Sequence, residues 1–300
     1  MGSGKPSRRF CDEGWRQDRG AHSGYSNINR RGWKASISGV HRSPVFKAGL
    51  SVKLRRKMLL GIHHLTAFAG DPKAVLDECI GVRKLRLVKR TVNFDDPGSY
   101  HFYFGDHRGS PGTLLTFFTG FQRQAKRGAG QIVSGLDLDS ITLCENDPEP
   151  TARVLGILGF TSTSVEGNRH RFELPGGAAR VDILHEPQTE RGKMGVGAIH
   201  HVAFRVSDER VQADWRTRLI DAGVHVSPVK DRLYFHSIYF REPGGVLFEI
   251  ATDGPGFLID ETEEALGSSL CLPPWLEPSR ESIEARLNHD HRSQLLALRG

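Results

Sequence analysis

The 300-residue sequence predicts an α+β protein built from repeated βαβββ modules. Residues 61–120 contain a strand-like segment, a helical segment and then three further strand-like segments. A similar order recurs at 139–190 and again at 197–256. The tandem histidines of GIHHLTA, at 61–67, return in AIHHVAF, at 198–204. This repetition indicates that a whole supersecondary unit has been duplicated.

The first module is expected to span 58–120. Residues 61–69 alternate as a β-strand does, and 72–81 place Val75, Leu76 and Cys79 at helical spacing. Three more strands are expected at 85–94, 99–106 and 112–120, since Gly, Pro and Asp bound these segments. A basic, glycine-containing linker is expected at 121–138.

The second module is expected at 139–190, with a strand at 140–145, a short helix near 150–158 and three strands after it. The third, at 197–256, begins with a strand at 198–206 and continues with a helix near 208–222. Its last strand is expected in GVLFEIATD, at 245–253. The remaining tail, 257–300, contains a predicted helix at 278–287 with a serine at its N-cap.

Residues 1–57 form a basic extension that is predicted to be disordered. They hold 14 basic and 3 acidic residues, a net charge of +11, whereas the other residues hold 27 and 32, a net charge of −5. Three origins remain open: sequence upstream of a natural start at Met58, a transit-like peptide, or a basic arm for anionic partners. Because the positive charge is confined to this extension, no nucleic-acid partner is expected for the modules.

Composition also bears on the setting of the protein. No apolar run approaches the roughly 20 residues that span a bilayer, so no membrane partner is expected. The four cysteines are scattered and form no CxxC pair. Such cysteine usage favours a reducing compartment, and a cytoplasmic location is therefore expected.

Strand alternation separates the two histidines of the third module. His201 shares a face with the small side chain of Ala203, whereas His200 shares an apolar face with Val202. His201 is therefore expected to face a cavity and His200 the core. The corresponding cavity-facing position in the first module is His64.

A carboxylate completes the candidate set. Glu249 alternates with the apolar residues Phe248 and Ile250, and a glutamate inside such a strand needs a cation or water beside it. Two histidines and one carboxylate leave coordination positions open and suit Fe(II) in oxygen chemistry. Aligning the Pro-Gly segments of the two copies matches Phe117 with Glu249, so the copies are expected to differ where a carboxylate would lie.

The sequence resembles the vicinal oxygen chelate superfamily, and within it the hydroquinone-type ring-cleaving dioxygenases. The resemblance covers most of 58–258 and is carried by IHHLTAFAGD, VKRTVNFDDPGSYHFYFGD, SPGTLLTFF, IHHVAF and YFREPGGVLFEIATDGPGF. It implies mixed-sheet half-barrels around a cup. It also implies that His64, His201 and Glu249 bind the metal, with Fe(II) as the ion and Mn(II) as the alternative.

The same resemblance implies the reaction and its participants. Ring cleavage of a small hydroquinone- or catechol-like aromatic by O₂ is expected. His63 or Tyr239 would give a proton or a hydrogen bond to an oxygen intermediate, and Arg232 would stabilise a phenolate.

One departure from the family pattern affects this expectation. The resemblance implies four modules, but the sequence contains three, and the additional one would be expected after GAGQIVSG, at 128–135. A sheet face or edge of the second module would then be exposed, or covered in a homo-oligomer. Three alternatives stay open: a glyoxalase-type isomerase or lyase using Ni²⁺ or Zn²⁺, a metal-free small-molecule binding protein, and an inactive truncated remnant.

Overall fold

The computed structural model describes residues 58–135 and 138–291. The basic extension at 1–57, with its expected disorder and its three alternative origins, lies outside the described residues. No helix in the described ranges is long and apolar enough to cross a membrane.

The first module has the predicted order of elements. β1 (Ile62–Phe68) precedes α1 (Pro72–Leu76), and then come β2 (Arg86–Asn93), β3 (Asp96–Gly105) and β4 (Leu114–Phe118). α1 begins where the Asp71 side chain accepts a hydrogen bond from the Lys73 amide, and a proline occupies its first turn. The predicted helix at 72–81 is confirmed, although its second half, Asp77–Val82, is a π-helix.

The other two modules repeat this order. The second consists of β6 (Ser140–Glu145), α2 (Pro148–Ile157), β7 (Thr161–Glu166), β8 (Arg169–Glu173) and β9 (Arg180–His185). The third consists of β10 (Ile199–Val206), α3 (Glu209–Asp221), β11 (Lys230–Asp231), β12 (Phe235–Arg241) and β13 (Leu247–Pro255). In the tail, α4 (Arg280–His291) begins directly after Ser279, close to the predicted position.

The stretch expected to be a linker contains a strand. β5 (Gln131–Ser134) pairs with β6, and its residue Ile132 also pairs with Ile199 of β10. Basic residues and glycines favoured a linker, but Gln131 and Ile132 are buried, and strand pairing satisfies their backbone groups. β5 therefore connects the second module to the sheet of the other two.

Within the described residues, thirteen strands form one mixed, open sheet. In each module the first strand pairs in parallel with the last, as β1 does with β4, β6 with β9 and β10 with β13. β1 and β10 pair antiparallel and join the first module to the third. The two copies therefore meet along the strands that carry the tandem histidines, and their inner faces line a common cup.

Apolar side chains pack on both faces of this sheet. The largest buried cluster joins Val202 and Phe248 of the sheet to Leu155 of α2 and Trp215 of α3. A second cluster lines the cup, where Phe257 of the tail joins the inner side chains. A third cluster binds the rest of the tail to the first module through Leu272, Ile283 and Leu287.

Candidate metal centre

Three side chains from three strands meet inside the cup. His64 on β1, His201 on β10 and Glu249 on β13 are buried, with exposed fractions of 2%, 4% and 0%. His64 Nε2 lies 3.1 Å from His201 Nε2 and 3.4 Å from Glu249 Oε2. His201 Nε2 lies 3.0 Å from the same carboxylate oxygen. One ligand atom from each residue lies within 4.8 Å of the others, so this set could hold one ion.

Each tandem histidine pair lies at a β-bulge. In the pairing of β1 with β10 the register shifts at His63 and again at His200, so neither residue has a partner of its own. A bulge interrupts strand alternation and re-aims a side chain. The expectation that His200 faces the core is therefore wrong, because its Nδ1 lies 2.9 Å from Nδ1 of His201. His63 likewise lies beside His64, with the two Nδ1 atoms 2.9 Å apart.

Hydrogen bonds fix the tautomer of His64. His63 Nε2 lies 3.1 Å from the carbonyl oxygen of Thr252, which can only accept, so His63 carries its ring proton on Nε2. Burial, and after it the neighbouring His64, lowers the pKa of His63 well below its ordinary value, and the ring is neutral. Its Nδ1 therefore accepts a hydrogen bond from Nδ1–H of His64. In the neutral form of His64, a proton on Nδ1 leaves the lone pair on Nε2, as metal ligation requires.

A matching contact orients His201. Burial lowers the pKa of both His200 and His201, and Glu249 opposes this effect at His201. When His201 presents a lone pair on Nε2, its Nδ1–H donates to Nδ1 of His200. In both halves of the cup, a second histidine thus contacts the candidate ligand histidine through Nδ1.

Glu249 brings a negative charge into the buried site. Its Oε1 accepts a hydrogen bond from the Ser237 hydroxyl, whereas its buried Oε2 accepts none from the described residues. Burial alone would raise the pKa of Glu249, but His64 and His201 outweigh it and hold the pKa well below its ordinary range. An ionised oxygen without a donor, beside two imidazole nitrogens, fits a cation, which would satisfy all three atoms.

The sheet register corrects the match between the two copies. His64 pairs with Leu114 and His201 with Leu247, so Thr116 occupies the place that Glu249 has in the third module. The expected match of Phe117 with Glu249 is wrong. β4 begins one residue sooner after its Pro-Gly segment than β13 does after its own, and this difference shifts the match between the copies by one residue. Thr116 is no carboxylate either, so the first module still offers no acidic ligand there.

Arg232 and Tyr239 lie beside the three candidate ligands. Tyr239 pairs with Glu249 across β12 and β13, and its ring centre is 6.1 Å from that of His201. Arg232 Nε donates to the Tyr239 hydroxyl over 3.0 Å, and its guanidinium also forms an ion pair with Asp95 at 2.8 Å. Burial, and then the charge of Glu249, raises the pKa of Tyr239, so its hydroxyl keeps its proton at neutral pH.

Sequence reasoning missed several polar groups of the cup. Thr66 Oγ1 lies 2.8 Å from His201 Nε2 and 2.8 Å from Thr116 Oγ1. His101 Nε2 lies 2.9 Å from the same Thr116 hydroxyl. Thr66 could have been found, because it follows His64 by two positions and so shares its face. Thr116 and His101 depend on the pairing register, which no local pattern reveals.

Comparison with known proteins assigns the family. The model of the Glyoxalase/Bleomycin resistance protein/Dioxygenase superfamily matches residues 138–250. A Bacillus subtilis relative named "Putative ring-cleaving dioxygenase MhqO" is 36% identical over 301 residues, which cover 77% of this chain and 96% of that protein. The chlorohydroquinone/hydroquinone 1,2-dioxygenase of Sphingobium indicum is 30% identical over 310 residues, which cover 76% of this chain and 96% of that protein.

A solved structure agrees with this assignment. The crystal structure of a "putative dioxygenase" from Bacillus subtilis matches with a TM-score of 0.71 and 36% identity, and covers 77% of this chain and 97% of that one. The matched part of MhqO is also longer than its counterpart here. Since 77% of 300 residues is about 231, about 70 of the 301 aligned positions face gaps in this chain. This deficit agrees in size with the loss of one module.

The chain is therefore similar in sequence to these relatives over nearly their full length. Its cup also contains both halves of the candidate metal centre. The chain belongs to the Glyoxalase/Bleomycin resistance protein/Dioxygenase superfamily.

Proposed function

We propose that this protein is a metal-dependent dioxygenase that cleaves the ring of a hydroquinone- or catechol-like aromatic with O₂. The observation that carries the proposal is the convergence of His64, His201 and Glu249 in the buried cup. The buried Oε2 of Glu249 accepts no hydrogen bond from the described residues. Fe(II) is the proposed ion and Mn(II) the alternative, because two imidazoles and a carboxylate leave open positions. The names of the relatives support the reaction class.

Fe(II) bound there would bring an aromatic hydroxyl and O₂ together and pass electrons between them. The residues of the chain hold the substrate and its protons. Arg232 supplies a positive charge suited to a phenolate. Tyr239 accepts a hydrogen bond from Arg232, so its own hydroxyl hydrogen remains available to a substrate oxygen.

His63 has a different role in this proposal. Both of its ring nitrogens are occupied, one by the Thr252 carbonyl and the other by His64. We assign His63 to the orientation of His64, and Tyr239 remains as the donor to the reacting oxygen. This choice follows from the number of donors and acceptors that a neutral imidazole has.

The cup also offers apolar walls to an aromatic ring. Phe235 lies over both first-module histidines, with ring centres 5.0 Å from His63 and 5.3 Å from His64. Tyr103 belongs to the same cup-lining cluster. Such walls exclude water and strengthen the electrostatic interactions within the site.

The test is to load the purified full chain with Fe(II) without oxygen, and then to follow O₂ uptake with hydroquinone, chlorohydroquinone and catechol. We expect bound iron and O₂ uptake with at least one of these rings. His201→Ala should lose both, because it removes a ligand from the centre of the set. His107→Ala is the matched control, since His107 is 70% exposed and lies outside the site.

The outcomes separate the alternatives. Failure to bind iron, with His201→Ala indistinguishable from the unaltered protein, would show that the metal assignment is wrong. Bound iron without O₂ uptake would contradict the proposal and favour an inactive remnant. Isomerisation of a glutathione hemithioacetal by the Ni²⁺- or Zn²⁺-loaded protein would favour the glyoxalase-type alternative.

A further inference from the structure

A line of hydrogen bonds runs from His101 into the candidate metal centre. His101 Nε2 lies 2.9 Å from Thr116 Oγ1, which lies 2.8 Å from Thr66 Oγ1, which in turn lies 2.8 Å from His201 Nε2. The two threonines are fully buried, and His101 is 9% exposed. The line crosses β3, β4, β1 and β10, so chain proximity does not explain it.

The duplication gives this line a counterpart. The register of β3 with β4 matches that of β12 with β13, and it places His101 where the third module has Ser237. Ser237 donates to the ligand Glu249, and His101 contacts Thr116 at the equivalent place. In the third module these two positions hold the candidate ligand Glu249 and its donor Ser237. In the first module they hold Thr116 and His101, which form part of a chain of neutral donors.

The direction of the line follows from His201. For Nε2 of His201 to present a lone pair, Thr66 must donate to it and Thr116 must donate to Thr66. His101 then donates to Thr116 through Nε2–H. The reverse direction would require a proton on Nε2 of His201, which metal ligation forbids.

His101 is neutral and can serve as a fixed donor. Burial is the main reason that its pKa lies well below the ordinary value, and nearby groups add to this effect. The groups that act on it from neighbouring elements are His64, His201 and Arg232, which lower the pKa, and Glu249, which raises it. On its own strand the ring packs against Tyr103, with ring centres 4.1 Å apart.

We propose that His101 is a positioning residue which, acting through Thr116 and Thr66, aims the Thr66 hydroxyl at the oxygen of a bound aromatic hydroxyl. This inference rests on the proposed function, because it assigns a role toward that substrate. Once an ion takes the lone pair of His201, the Thr66 hydroxyl loses its present acceptor. A substrate oxygen beside the ion is then its acceptor, and a donor at that place favours the phenolate form.

The test uses the full chain loaded with Zn(II), which supports no redox turnover, and 4-nitrocatechol, whose absorption changes when it loses a proton. The readout is the apparent pKa of the bound phenol and not catalytic activity. His101→Phe keeps an aromatic ring but removes the donor, and we expect it to raise this pKa by roughly one unit. His101→Gln keeps an N–H donor at a similar reach and should restore most of the shift.

Thr116→Val breaks the same line one step further on and should give the same increase. The double variant His101→Phe/Thr116→Val should give no more than either change alone, because both act through one path. Thr116→Val also keeps the test decisive if His101→Phe fails to fold. A bound phenol whose pKa is unchanged by Thr116→Val would overturn the role of the line while leaving the proposed function intact. Failure of the Zn(II)-loaded protein to bind 4-nitrocatechol would overturn both.

A second measurement needs no phenol. Long-range ¹H–¹⁵N spectra of the Zn(II)-loaded protein, assigned with His101→Gln, report the tautomer of this ring. We expect the proton on Nε2. A proton on Nδ1 would reverse the direction of the line and overturn the inference.

Discussion

His63 controls the metal centre without being one of the candidate ligands. It donates to the Thr252 carbonyl and accepts from His64, so it determines which nitrogen of His64 would face an ion. Partners of this kind fix the tautomer and the ring orientation of a ligand histidine. The tandem histidine motif therefore combines a candidate ligand with the residue that orients it.

We expect His63→Phe to weaken metal binding by roughly 10- to 100-fold, because His64 would lose the acceptor that holds its tautomer. Competition between the protein and a metal-binding dye measures this affinity directly. His63→Asn is the matched control, since its side-chain oxygen can accept from Nδ1–H of His64 and should restore part of the affinity. Equal affinities for His63→Phe and the unaltered protein would show that the contact has no orienting role.

The residues of the site differ in how far the sequence alone could predict them. His64, His201 and Glu249 stand out because polar groups recur at matched places on otherwise apolar strands. The position of His200 could not be predicted, because strict alternation fails at a bulge and no local pattern indicates the bulge. No local pattern indicates the register of β4 either, and this register places Thr116 rather than Phe117 in the cup.

At the scale of elements, the second module has a charged inner face. On β9, Val181 and Ile183 are buried in the core, and Asp182 between them points to the other side. Asp182 pairs with Arg169 at 2.8 Å and with Arg171 at 2.9 Å. This face, which a chain of three modules was expected to leave exposed, thus carries paired charges, which lower its tendency to associate through apolar contacts.

This cluster predicts a pH dependence of stability. Burial alone would raise the pKa of Asp182, but Arg171 and Arg169 outweigh it, and the folded-state pKa is lowered. A depressed carboxyl pKa stabilises the folded protein above the unfolded value of about 3.9, and this contribution is lost as the pH falls through the folded pKa. Asp182→Asn should therefore cost about 1 kcal/mol at neutral pH, a value reduced because both arginines are partly exposed.

Urea unfolding of Asp182→Asn and of the unaltered protein at neutral pH and near pH 3 measures this effect. The difference between the two proteins should shrink as the pH falls. Asp214→Asn serves as the control, since Asp214 is exposed on α3 and lies outside this cluster. A difference for Asp182→Asn that is independent of pH would mean that packing, rather than charge, is the cause.

Elements with strong local signals could be predicted, and those that depend on tertiary pairing could not. α1, α2 and α3 each begin after an aspartate whose side chain accepts a backbone hydrogen bond, a signal that is present in the sequence. β5 has four residues and lies among glycines and basic residues, so only its pairing with β6 and β10 makes it a strand. The sequence pattern therefore could not predict how the second module attaches to the sheet.

At the scale of the whole molecule, the candidate metal centre joins distant parts of the chain. His64 and His201 are 137 residues apart, and Glu249 follows on a third strand. The unfolded chain cannot hold these three groups together, so an ion at this site would bind the folded state almost exclusively. We therefore expect metal binding and the pairing of the first and third modules to be thermodynamically linked.

This linkage predicts that metal raises the unfolding temperature of the protein. At a free ion concentration 100 times the dissociation constant, the folded state gains about 2.7 kcal/mol, which corresponds to roughly 5–10 °C for a chain of this size. Calorimetry of the metal-free protein with and without Mn(II) measures the shift. His201→Ala should abolish it and His107→Ala should keep it, because only the first removes a proposed ligand. An equal shift in His201→Ala would place the stabilising ion elsewhere in the molecule.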